Sequence, residues 1–83
     1  MDKDSHYQIT KFKISLITLT DIKNFVDAVS NLSGTTVLVN ENETYRVNAK
    51  SFLGAVAAVE DWNDIWVVSD NSNLYGTISE FVV

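Results

Sequence analysis

Along this chain the spacing of apolar residues switches repeatedly between every second residue and every third or fourth, and that alternation limits it to a mixed α and β domain. Phe12, Ile14 and Leu16 alternate with Lys11, Lys13 and Ser15. This is the pattern of a half-buried strand, reaching back to near Tyr7. Thr20 or Asp21 can then cap a helix by accepting from its free backbone N–H groups. Ile22, Phe25, Val26, Val29 and Leu32 follow at helical spacing, and Gly34 is placed to end that helix in a left-handed conformation. Thr35 to Val39 reads as a strand, Asn40-Glu41-Asn42-Glu43 as a polar turn, and Thr44 to Val47 as the returning strand of a hairpin. Asn48 or Ser51 caps a second helix to about Ala58, with Phe52, Leu53, Val56 and Val59 as its apolar members. Trp62-Asn63-Asp64 makes a turn, and the continuous apolar run Ile65 to Val68 predicts a central strand. Asn71 or Ser72 caps a last short helix that carries Leu74, Ile78, Phe81 and Val82 on one side.

The order β-α-β-β-α-β-α predicts one α+β domain over residues 1–83. Its elements suit a four-stranded antiparallel sheet with helices on one face, an open-faced β-sandwich. The ferredoxin-like βαββαβ arrangement fits the same string. With 83 residues, folding hides only about 60–65% of the unfolded chain's surface, so there is room for a single thin core.

The absence of cysteine excludes a disulfide scaffold, a thiolate nucleophile and a Cys-based metal site. Met1-Asp2-Lys3-Asp4-Ser5-His6 is polar and acidic, unlike a signal peptide, and residues 1–6 read as a flexible lead. No uncharged run approaches the roughly 20 residues that span a bilayer. A cytoplasmic protein is the expectation. Net charge is −5, and all six basic residues (Lys3, Lys11, Lys13, Lys23, Arg46, Lys50) precede Ser51. Nucleic-acid binding needs a basic face to displace counterions, so neither nucleic acid nor an anionic membrane is an expected partner.

The stretch Tyr45-Arg46-Val47-Asn48-Ala49-Lys50-Ser51-Phe52-Leu53-Gly54 resembles the HPr family, the histidine-containing phosphocarriers of the bacterial sugar phosphotransferase system. In that family a strand ending in a Val-Asn-type pair runs into a Lys-Ser-hydrophobic-hydrophobic-Gly helix start. Phe12 to Leu16 falls where the family has its first strand, and Asp64 to Asp70 where it has its fourth. The resemblance implies the open-faced sandwich with its first and last strands paired centrally, whereas a ferredoxin-like sheet places its first and third strands in the middle. It also implies protein partners, namely a phosphotransferase-system enzyme or a transcriptional regulator.

The chain departs from the family at the phosphate acceptor, a His in a Gly-x-His-x-Arg-Pro stretch at the start of the first helix. Counting back from Ser51 sets that stretch over Leu19-Thr20-Asp21-Ile22-Lys23, and the acceptor position falls on Thr20 or Asp21. Phosphohistidine transfer needs an imidazole nitrogen that is nucleophilic near neutral pH. Thr20 is a poor nucleophile without a base. An acyl phosphate on Asp21 calls for a metal and a carboxylate cluster, and a helix cap is the plainer role. The single imidazole, His6, precedes the first strand and reads as a tail residue.

Ser51 matches the serine that regulatory kinases phosphorylate in many HPr proteins. A phosphate there would sit at a helix N-terminus, with Lys50 adjacent; the plainer role is again a cap. Phe52 and Leu53 are consecutive and cannot both face the core of one helix. In the family the matching pair belongs to an apolar docking patch, so Lys50, Phe52 and Leu53 become the candidate partner contacts. Trp66 is expected in the core and Trp62 at a turn. Glu60, Asp61 and Asp64 read as a solvated turn, with no cation-ligand ladder. Gly34, Gly54 and Gly76 are too dispersed to form a phosphate-cradling loop. No cofactor, metal or catalytic constellation is expected. The chain reads as a regulatory or protein-binding module and not an enzyme; the alternatives are a phosphocarrier with a non-standard acceptor, Asp21 or His6, and an unrelated ferredoxin-like ligand-sensing domain.

Overall fold

A computed structural model describes residues 9–83; His6, Tyr7 and the expected flexible lead lie outside them. The strands are β1 (Thr10–Ile14), β2 (Thr36–Val39), β3 (Arg46–Asn48) and β4 (Ile65–Ser69). The helices are α1 (Leu19–Ser30), α2 (Phe52–Asp61) and α3 (Leu74–Ile78), and a 3₁₀ turn over Ser79–Phe81 follows α3. The strands form one sheet in the order β1-β4-β2-β3, every neighbour antiparallel. This is an α+β open-faced sandwich of the HPr-like kind. β1 does pair with β4, but only β4 is central and β1 lies at the edge, where Ile14 bridges to Val82. The middle of the sheet is β4 and β2, not the first and third strands of a ferredoxin-like sheet.

Cross-strand register separates the two faces, because residues directly opposite one another point the same way. Phe12, Val67, Leu38 and Val47 share one row and Ile14 and Ile65 another. These rows face the helices and meet Phe25, Val29, Ala55, Ala58, Leu74 and Ile78 in a single core. Phe25 and Phe81 pack edge to face, with centroids 5.6 Å apart. The buried Thr36 and Ser69 hydroxyls satisfy each other at 2.9 Å, so this polar pair carries little desolvation cost. On the other face lie Lys13, Trp66, Val39 and Arg46 in one row and Lys11, Val68, Val37 and Asn48 in the next.

The structure corrects several expectations. The N-cap of α1 is Thr18, whose hydroxyl accepts from the Asp21 N–H. Thr20 does not cap, and Asp21 serves from inside the first turn. Gly34 is left-handed (φ 85°), but α1 ends earlier, at Asn31, and the glycine belongs to the turn into β2. It is needed there because an added Cβ would stand 2.3 Å from Asp70 Oδ1, the oxygen that accepts from the Thr35 N–H at 3.0 Å. Asn73 starts α3, without a side-chain bond, and Asn71 Oδ1 accepts the Asn73 N–H one turn earlier. Trp66 is half-buried on the uncovered sheet face, not in the core, because the strand alternates Ile65, Val67 and Ser69 inward. Trp62, at the end of α2, packs against the core instead. Among the described residues no helix is long and apolar enough to cross a membrane.

Candidate functional site

The corner where the resemblance would put a phosphate acceptor is built by a reciprocal cap. Leaving β1, the chain exposes Ile17, Thr18, Leu19 and Thr20 before α1 turns its apolar stripe inward at Ile22, Phe25, Val26 and Val29. One Asp21 oxygen, Oδ2, accepts from the Ile17 N–H (3.0 Å) and the Thr18 N–H (3.1 Å). The Ile17 bond first, then the Thr18 bond, hold the Asp21 carboxyl below its usual 3.8. A carboxylate stabilised in this way is a weaker nucleophile, since its negative charge is already shared with two donors. Thr20 presents its hydroxyl to solvent, and the chain's single imidazole is far away in sequence, at His6. Asp21 shares a shallow hollow of about 320 Å³ with Ile17, Asn24, Glu80 and Phe81. Glu80 lines the same hollow and adds a second acidic side chain to it, which opposes the approach of a phosphoryl donor.

The second candidate surface is the start of α2. Asn48 Oδ1 accepts from the Lys50 N–H at 2.9 Å, and Ser51 Oγ accepts from the Gly54 N–H at 3.1 Å. Ser51 is therefore the N-cap, half-buried. Phe52 and Leu53, 41% and 79% exposed, both point away from the sheet, and the fully buried members of α2 are Ala55 and Ala58. Val56 and Val59 are partly buried against the core. Phe52 and Leu53 cannot both face the core, and in the structure neither is buried: small residues let the helix lie close to its neighbours and turn the large pair outward. Phe52 borders an apolar hollow of about 260 Å³ with Lys23, Val26 and Asp27 of α1.

Lys50 sits differently from a surface contact. Its ammonium donates to the backbone carbonyls of Leu32 and, at 3.2 Å, Gly34, just beyond the end of α1. A cation there complements the negative end of a helix whose last turn has no basic residue.

The two candidate surfaces lie along one helix. From Thr20 to Asp27 is seven residues, so the acceptor corner and the Phe52 hollow are separated by about 10 Å along α1. Glu60, Asp61 and Asp64 do not gather: Asp64 pairs with Lys13 at 3.2 Å, and among the described residues no three metal-ligating side chains come together. Residue-by-residue reading missed Ile17 and Leu19, 80% and 65% exposed. Ile17 falls off the stripe set by Ile22, Phe25, Val26 and Val29, which was its signal. Leu19 stands three residues before Ile22 and seven before Val26, on the stripe by spacing, so nothing in the sequence marks its exposure in the first turn. Comparison of the chain with protein-family models, with curated proteins and with solved structures finds no match.

Proposed function

We propose that this chain is an HPr-like protein related to the phosphotransferase system, unable to carry phosphohistidine, that acts as a regulatory or protein-binding module. The observation that carries this reading is the Asp21 carboxylate, committed to the Ile17 and Thr18 N–H groups at the place where the resemblance calls for an imidazole. With the acceptor replaced by a capping carboxylate and an exposed hydroxyl, what remains at the matching surface is shape and apolar area. Leu53 and Phe52 present that area beside Lys23 and Asp27, and exposed side chains of this size commonly mark an interface. The partner is a protein, a phosphotransferase-system enzyme or a transcriptional regulator, in the cytoplasm. Ser51 heads the same helix, and a phosphate on it would alter the charge of that surface.

The test is incubation of the full chain with enzyme I and labelled phosphoenolpyruvate, followed by intact-mass analysis. No label is expected on the protein. Acid-labile phosphate on Asp21 or His6 would establish a phosphocarrier with a non-standard acceptor and overturn the proposal.

A further inference from the structure

The sheet of this fold has helices on one side only, and the chemistry of the other side is unlike the rest of the molecule. In a chain of net charge −5, the outward positions of the four strands hold, among the described residues, Lys11, Lys13 and Arg46 and no carboxylate. Between these flanks run Val37, Trp66 and Val68, each half-buried, with Val39 already covered. The Lys11 ammonium lies 5.1 Å from the Trp66 ring centroid. The carboxylates that meet the two lysines come from outside the strands: Glu43 in the β2–β3 turn with Lys11, and Asp64 before β4 with Lys13. Both are part-exposed ion pairs, which an incoming carboxylate can replace at small cost.

The dimensions fit one kind of occupant. From β1 to β3 is three inter-strand steps, about 14 Å, and a helix with its side chains is about 10–12 Å across. We propose that this uncovered face docks an amphipathic helix of a partner protein whose apolar stripe is flanked by carboxylates. The stripe would lie over Val37, Trp66 and Val68, and the flanking acids would meet Lys13 on one edge and Arg46 on the other, with one acid drawing the Lys11 ammonium off the Trp66 ring and away from Glu43. A nucleic acid fits the face less well. Three cations, two of them already paired, neutralise few phosphates, and among the described residues Trp66 is the only aromatic at an outward strand position, with Lys11 over its ring. The surface is on the opposite side of the sheet from Ser51–Gly54, so this inference stands or falls apart from the phosphotransferase-system reading.

The test is an amide-shift titration of the isotope-labelled full chain with three probes. They are a capped synthetic helix with a leucine stripe flanked by glutamates, the same helix with lysines for glutamates, and an oligodeoxythymidylate. The glutamate helix is expected to shift Val37, Val68 and the Trp66 indole saturably while leaving Leu53 unmoved. Its affinity should fall about tenfold in Arg46→Glu, and in the unaltered chain on raising salt. The salt series keeps the test valid should the variant fold poorly. Absent shifts on this face, equal binding of the lysine helix, salt-independent binding, or tighter binding of the oligonucleotide each overturn the proposal.

Discussion

The Thr18 hydroxyl and the Asp21 carboxylate hold the start of α1 together by accepting each other's backbone N–H groups. Removing the hydroxyl leaves the Asp21 N–H without its side-chain partner, while the Asp21 carboxylate still accepts from the Ile17 and Thr18 N–H groups. Thr18→Ala should therefore cost about 1 kcal/mol in urea unfolding; an unchanged midpoint would mean the cap is ornamental. The carboxylate adds a pH dependence. Because the folded state holds Asp21 below its usual 3.8, the unfolded chain takes up the proton first as pH falls. The stability it contributes is complete above about that value and drains away as pH drops through the lower folded value. Asp21→Asn keeps an oxygen for the Ile17 and Thr18 N–H groups but cannot titrate, so its stability should decline less steeply below pH 3.8. Parallel acid limbs for the two proteins would remove Asp21 from the account.

At the scale of elements, α2 shows where sequence pattern reads well and where it fails. Its start was legible because Ser51 is a good cap and Lys50 to Gly54 is a recognisable run. Its buried side was not, because the helix is apolar nearly all round and the pattern gives most weight to the largest side chains. Packing favoured the smallest: Ala55 and Ala58 fit where the helix comes close to its neighbours, and Leu53 was left outside. Trp66 failed for a related reason. A continuous apolar run looks buried on both faces, yet only Ile65 and Val67 meet the helices, while Trp66 lies on the uncovered side. β1 was legible because its lysines mark the outer face, and α1 because its stripe is regular. Ala58→Leu should destabilise by about 1–3 kcal/mol through overpacking. Leu53→Ser should change stability by less than about 0.5 kcal/mol. Were the order reversed in matched urea melts, the assigned orientation of α2 would be wrong.

Across the whole molecule, the order β1-β4-β2-β3 makes stability uneven. β4 is paired along both edges, by Thr10–Ile14 on one side and Thr36–Val39 on the other, and Val67 at its centre is fully buried. β3 has three residues, one neighbour, and Arg46 and Asn48 exposed. β1 is also an edge strand, but its free side is partly closed at the far end, where Ser15 donates to Phe81, Val83 donates to Lys13, and Ile14 bridges to Val82. Opening β4 therefore requires losing both neighbours and the core row of Phe12, Val67 and Leu38. Opening β3 disturbs chiefly Val47 and the turn before it. Hydrogen exchange should rank accordingly. The amides of β4 and the paired amides of β2 should exchange only by global unfolding, and those of Arg46 to Asn48 by local fraying at markedly lower free energy. The chain's C-terminal pairing makes a second distinction between the two edges. Deleting Val82 and Val83 should speed exchange near Ile14 while leaving β3 unchanged. Equal protection of the two edge strands in the full chain, or no response of β1 to the deletion, would show that the C-terminal residues do not hold the first strand in place.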